Sequence, residues 1–363
     1  MKYIYLLLLS LLPITSQALP LHLLKLPEGY RITTVAEAEN ARQMALGEPG
    51  ILFVGSRREG KVYRLQDRDG DGVFEQREIL LRRQNMPSGI AYRNGTLYVA
   101  AVNKILRIDD AGHVDDLPVK GQLVTDRLPD ASHHGWKYLK FGPDGQLYFN
   151  LGAPCNTCLN TDPRFATILR LNLDSNKQSI IAHGVRNSVG FSWHPTTGEL
   201  WFTDNGRDHL GDDQPDDELN RLSKTGQHFG FPYIHAGDIP DPELYDGQEF
   251  SLYQPPALKL GAHVAPLGLT FYTGNSYPKT SSHSLFIAEH GSWNRSSKVG
   301  YRVIKVDTAN TPPTQEVFVE GWLQGEKAWG RPADIIVDRD GSLLISDDKA
   351  GAIYRVSYTG KQQ

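Results

Sequence analysis

One phrase recurs six times along this chain: a turn marked by Gly or Ser, a short apolar and aromatic strand, a small linker, then a second strand. The first copies are Gly50–Gly55 with Gly60–Leu65, Gly95–Ala100 with Lys104–Asp109, and Gly145–Asn150 with Thr167–Asn172. The later ones are Gly198–Thr203 with Asp217–Leu222, Ser284–Glu289 with Gly300–Asp307, and Gly341–Ser346 with Gly351–Val356. Strand-rich repeats every 40–50 residues or so are the sequence mark of propeller blades. The expected fold is therefore all-β, a six-bladed β-propeller. The segment Tyr30–Val35 precedes the first copy and is expected to pair with the last blade, closing the ring and hiding its edges. The widest gap between copies carries an insertion at about 229–260, rich in Pro, Tyr, Asp and Gly. Long loops of this kind shape sites at blade mouths. An apolar period suited to a helix occurs only near Ala36 to Leu46, where a short helix is expected.

Composition narrows the function. The 363 residues are 39% hydrophobic and 22% charged, with a formal net charge of −4. That excludes a disordered or coiled-coil chain, and no basic surplus supports nucleic-acid binding. Met1-Lys2, the apolar run Ile4 to Leu12 and the small-x-small site Ser16-Gln17-Ala18 read as a secretory signal peptide, expected over 1–18. The run is too short to span a bilayer, so the mature chain, 19–363, is expected to be one propeller domain, periplasmic or secreted, with no membrane span. Cys155 and Cys158 are the only two cysteines. In an oxidising compartment they are expected to form a local disulfide; a catalytic thiol pair would want a thioredoxin-like βαβ setting.

Three clusters carry chemistry. Ser132-His133-His134-Gly135-Trp136 offers a proton acceptor near neutrality, against the plainer reading of a surface histidine pair. Gly184-Val185-Arg186-Asn187 offers a planar cationic fork beside an amide, a pair that elsewhere often stabilises a turn. Asp204 to Glu218 packs seven carboxylates, which suits Ca²⁺ or a solvated acidic loop. A fourth run, Asp67-Arg68-Asp69-Gly70-Asp71-Gly72, continues to Glu75 and Glu78 with the ligand spacing of an EF-hand loop. No amphipathic helices flank it, and an Asp-Gly hairpin turn is the alternative.

Together these runs resemble the soluble PQQ-dependent sugar dehydrogenases, the glucose/sorbosone dehydrogenase group, over about residues 25–358. The resemblance rests on His134-Gly135-Trp136-Lys137 through Gly142-Pro143-Asp144-Gly145, on Gly184-Val185-Arg186-Asn187, and on Asp216-Asp217-Glu218-Leu219-Asn220. Ala265-Pro266-Leu267-Gly268, Ala288-Glu289-His290-Gly291-Ser292-Trp293-Asn294-Arg295 and Gly330-Arg331-Pro332-Ala333-Asp334 complete it. It implies His134 as catalytic base, Arg186 and Asn187 at the quinone oxygens, and Arg331 at the cofactor carboxylates, with Arg295 as a further positive contact. It implies Ca²⁺ on the carbonyls of Gly206 and Arg207, beside Asp216, Asp217 and Glu218. The expected cofactors are PQQ and Ca²⁺, and the expected substrate is a sugar, polyol or sugar aldehyde. Two positions depart from the family pattern: His133 stands where an Asp is usual, and Arg207 where a Pro is common. No Cys-x-x-Cys-His haem site exists, so electrons are expected to pass to a separate quinone or cytochrome. A Ca²⁺-dependent lactonase and a non-catalytic glycan- or protein-binding propeller are the competing readings.

Overall fold

The computed structural model describes residues 18–281 and 284–360. The expected signal peptide, apart from Ala18, lies outside them. Six sheets form the ring of a six-bladed β-propeller, antiparallel except that a short fifth strand, Gln227–His228, pairs parallel with Gln178–His183 in the third blade. Blade 1 runs Ala41–Leu46, Ile51–Ser56, Val62–Gln66 and Gln76–Leu81, from the central channel outward. Blade 2 runs Gly89–Arg93, Thr96–Ala100, Ile105–Ile108 and Gln122–Thr125, and blade 3 Leu139–Phe141, Leu147–Leu151, Thr167–Leu171 and Gln178–His183. Blade 4 is Phe191–Trp193, Leu200–Asp204, Asp216–Leu222 and Leu258–Ala262. Blade 5 is Pro266–Phe271, Ser284–Glu289, Arg302–Asp307 and Thr314–Val319. Blade 6 is Pro332–Val337, Leu343–Asp347 and Ala352–Tyr358, closed on its outer edge by Tyr30–Glu37, which pairs Tyr30 with Tyr358 and Glu37 with Ala352. Each recurring phrase of the sequence is the second and third strand of one blade.

The apolar runs follow from stacking the blades. A blade is covered on both faces, so its strands need not alternate apolar and polar residues. In blade 1, Leu52 packs toward blade 6 with Val35, Ile353 and Leu344, while its neighbour Phe53 packs toward blade 2 with Leu97 and Val99. Leu285 and Phe286 of blade 5 divide in the same way, toward blades 4 and 6.

The helix expected near Ala36 to Leu46 is not formed. Residues 30–37 and 41–46 are strands, joined through Asn40 at φ 55°. Ala36, Ala38 and Met44 are buried between blades 6 and 1, so pairing and burial in the ring override local helix spacing.

The first strands surround the channel, and their inner edges would leave backbone groups unpaired. Side chains fill that need. Gln43 Oε1 accepts the N–H of Ile90 at 2.9 Å and of Leu139 at 2.8 Å, and its Nε2 donates to Leu139 O at 2.6 Å. Asp334 Oδ2 accepts Met44 N–H at 2.8 Å. One buried amide thus ties blade 1 to blades 2 and 3. Gln43→Met should strand two backbone N–H groups and cost about 2–6 kcal/mol, at roughly 1–3 kcal/mol for each unmet buried group. Denaturant midpoints check this: Gln122→Met, on an exposed outer strand, should shift little, and equal shifts for both variants would contradict it.

Candidate active site

The channel opens on the face where first strands begin and second strands end. There, polar residues near the ends of second strands fix the loops that enter the same blade. Asn150 Oδ1 accepts Tyr138 N–H at 2.6 Å, and Asn150 Nδ2 donates to Trp136 O at 3.2 Å. Asp204 takes Arg186 N–H at 2.8 Å and Asn187 N–H at 2.6 Å, one on each oxygen. Asp347 takes Arg331 N–H at 2.8 Å. Of these three the sequence singled out only Asp204, and as part of a Ca²⁺ run rather than as a backbone anchor, yet each sets the backbone beside a candidate residue.

The loops enclose a cavity of about 340 Å³. His134, Arg186, Asn187, Gly206, Asp217 and Arg331 line it, brought together from blades 3, 4 and 6. Its wall also holds Arg42, Arg57 and Arg58 of blade 1, and His290 of blade 5. Five guanidinium groups therefore face two carboxylates, Asp208 and Asp217. Arg57 lies over the Trp136 ring at 4.0 Å, and burial brings its pKa down to about 10. Arg42 is held 3.3 Å from Asp348, which also accepts His290 Nε2–H at 2.8 Å. The blade 1 arginines lie outside every motif singled out above. Their one signal is position: Arg57 and Arg58 follow directly on the second strand of a blade.

His134 is buried, with a left-handed backbone at φ 48°. Its Nδ1–H donates to Ala153 O at 2.9 Å, which leaves Nε2 as the basic nitrogen. Burial first, then Arg186 and His133, hold its pKa well below the ordinary value, so the ring is neutral near pH 7. Gly152 makes room for it: a Cβ there would sit 2.6 Å from His134 Cβ. The His133 ring stacks at a tilt, 4.1 Å away centre to centre, and is not part of the cavity wall.

Other candidates are placed elsewhere. Asp216 is half-buried 3.8 Å from Lys259. Glu218 turns from the cavity, its Oε1 accepting Ala236 N–H at 2.8 Å and its Oε2 accepting Asn220 Nδ2–H at 2.7 Å. Strand neighbours leave opposite faces, so Asp217 and Glu218 do not share one site. Asp217 takes Gly206 N–H and Ala265 N–H, each at 2.7 Å, and burial raises its pKa to about 6. Arg295 is drawn off by the carbonyl of Asp212 and by Asp213 at 2.9 Å. The Arg207 guanidinium is paired with Asp241 and Glu243 in the insertion. That places its positive charge away from any cation at the Gly206 and Arg207 carbonyls.

The acidic loop of blade 1 is remote, on the outer hairpin. Asp67, Asp69 and Asp71 place oxygens within 4.8 Å of one another. Glu75 and Glu78, expected to complete that set, do not join it. Glu78 is the partner of Arg64 at 2.7 Å and of Gln66 at 2.8 Å, and Glu75 receives Arg68 N–H at 3.4 Å. The expected disulfide joins Cys155 to Cys158.

The cavity fits a small, strongly anionic ligand. Its guanidinium excess calls for negative charge, while Asn187 Oδ1, buried with no hydrogen-bond partner among the described residues, leaves an acceptor open to a donor group of a ligand.

The chain has relatives among known proteins. An uncharacterised protein of Borreliella burgdorferi is 35% identical over 354 residues, 92% of this chain and 91% of its own length. A pyrroloquinoline quinone-dependent sugar dehydrogenase of Hypocrea jecorina is 27% identical over 236 residues, 55% of this chain and about half (51%) of that protein. The calcium structure of a Trichoderma reesei protein of carbohydrate-active enzyme family AA12 superposes with a TM-score of 0.77 at 20% identity, covering 92% of this chain and 97% of that one. A family profile described as TrAA12-like matches residues 164–359, more than half of the chain. The chain belongs to the TrAA12-like family.

Proposed function

We propose that this protein is a PQQ- and Ca²⁺-dependent dehydrogenase, periplasmic or secreted, that oxidises a sugar, polyol or sugar aldehyde. The observation that carries this reading is a neutral buried histidine and five arginines around one cavity. The names of the Hypocrea jecorina relative and the calcium-bound structural neighbour support the two cofactors. A lactonase on this fold would want carboxylate ligands to dominate the channel, where this cavity sets five guanidinium groups against two carboxylates.

Bound PQQ would supply a two-electron acceptor for the hydride that leaves the substrate carbon. Arg331 and the blade 1 arginines are suited to its carboxylates, and Arg186 with Asn187 to its quinone oxygens. The Gly206 and Arg207 carbonyls, beside Asp217, are suited to Ca²⁺, which takes hard oxygen ligands. His134 Nε2 removes the hydroxyl proton, and its Nδ1–H stays on Ala153 O throughout, fixing ring and tautomer. The Asp204 carboxylate keeps the Arg186-Asn187 backbone in register with that ring. Asp67, Asp69 and Asp71 form a separate candidate Ca²⁺ loop with a structural role.

His134→Ala should keep PQQ affinity and lose about 10²–10⁴-fold in turnover, the usual contribution of a positioned base. His133→Ala should lose far less. Steady-state kinetics on aldoses and polyols check both, and loss confined to His133→Ala would overturn the assignment. Protonation of His134 removes the base, so kcat should fall as pH is lowered, with the acid limb below 6.5 because burial depresses that group. A limb above 6.5 would contradict a depressed His134. In binding titrations, Arg331→Ala should weaken PQQ at least tenfold, since losing one partner of a buried charge pair costs about 2–5 kcal/mol. EDTA should weaken it too, and equal affinity with and without Ca²⁺ would remove the cation from the site.

A further inference from the structure

The four-residue disulfide loop lies against the candidate site, and its inner residue makes the contacts. Arg186 Nε–H donates to Asn156 O at 2.8 Å, and Arg186 Nη2–H to Asn156 Oδ1 at 2.7 Å. The same Oδ1 accepts Asp208 N–H at 2.9 Å, and Asn156 Nδ2 donates to Asp208 O at 3.1 Å. Arg186 is completed by Asn205 O at 3.0 Å and Asp208 Oδ2 at 3.1 Å. A guanidinium has five N–H donors, so these bonds leave one Nη1 hydrogen for a ligand. Just before the loop, Ala153 N–H donates to Arg186 O at 2.7 Å, while Ala153 O receives His134 Nδ1–H. One short segment therefore aims both the base and the arginine. Cys155 packs with Ala153, Ala166 and Phe231, and Thr157 donates to Asp241 Oδ2 at 3.3 Å, so the loop is seated on the core and on the insertion.

We infer that Asn156 is a positioning residue for Arg186, and that the Cys155–Cys158 disulfide holds it in place, so that the loop sets the affinity of the cavity for its anionic cofactor. Asn156 does not line the cavity and acts only through the guanidinium. The disulfide limits the states open to a turn of Asn and Thr that no regular strand pairing holds. Its closure removes conformational freedom that Arg186 would otherwise have to quench on binding.

The inference rests on the proposed PQQ reading, and two measurements separate them. In the first, PQQ is titrated in excess Ca²⁺. Asn156→Ala and the Cys155→Ser, Cys158→Ser double variant should each raise Kd by about tenfold or more, the scale for losing hydrogen bonds to a charged group. In an Arg186→Ala background, Asn156→Ala should add nothing further, because the two act as one unit. An unchanged Kd in Asn156→Ala, or a full additional loss in that background, would overturn the inference. The second measurement needs no ligand. In the double Cys variant, the amides of Ala153, Arg186 and Asp208 should exchange with deuterium about tenfold faster, while that of Phe149 in the blade keeps its protection. Unchanged exchange at those three amides would overturn the clamp whatever PQQ does. Faster exchange in a protein that never binds PQQ would sustain the clamp and reject the cofactor.

Discussion

A carboxylate taken out of water between two backbone N–H groups holds this site together. Asp204 is buried and receives Arg186 N–H and Asn187 N–H at once. Burial and the neighbouring Glu218 push its proton affinity well up, and those two N–H groups pull it back. The cost of burying such a group is offset only if both oxygens are satisfied. The loop of blade 4 is therefore fixed to the second strand of the same blade, and its side chains cannot wander. Asp347 does the same for Arg331, and Asn150 for Trp136 and Tyr138. The propeller supplies the ring; these three residues make its mouth a defined constellation.

The second constraint is charge. Five arginines around one cavity repel one another, and the buried ones, Arg42 and Arg186, also lose hydration. Asp348 relieves part of this by pairing with Arg42 and His290; against the burial that would raise it, these neighbours hold its pKa far below the carboxylate range. Arg186 is relieved by Asp208 at 3.1 Å. What remains is a positive surface of limited size with a neutral histidine in its wall. A ligand carrying several carboxylates completes that arrangement, and a neutral sugar alone does not.

The ring was legible in the sequence because each blade repeats one strand pair. Both faces of those strands are buried, so the apolar runs stand out. The first and fourth strands are shorter or more varied, and the Ala36–Leu46 region misled because small apolar residues suit either period. His134, Arg186, Asn187 and Arg331 could be singled out by motif, and the fold brings them to one cavity. Arg42, Arg57 and Arg58 could not, since their meeting with the others depends on closing the ring between blades 6 and 1, and His290 sat in a motif run without a role of its own. Arg295, Glu218 and Glu78 carry suitable charge in suitable runs, but Asp213, Ala236 N–H and Arg64 claim them. Motif spacing records which residues are near in sequence and not which partner reaches them first.

The most direct test is a crystal structure of the protein soaked with PQQ and Ca²⁺. The cofactor should lie in the blade-face cavity within hydrogen-bond reach of Arg186 and Arg331, with a cation on the carbonyls of Gly206 and Arg207 and His134 Nε2 open to the substrate side. An empty cavity at saturating PQQ, or density for the cofactor away from both arginines, would contradict the assignment of this cavity as the active site.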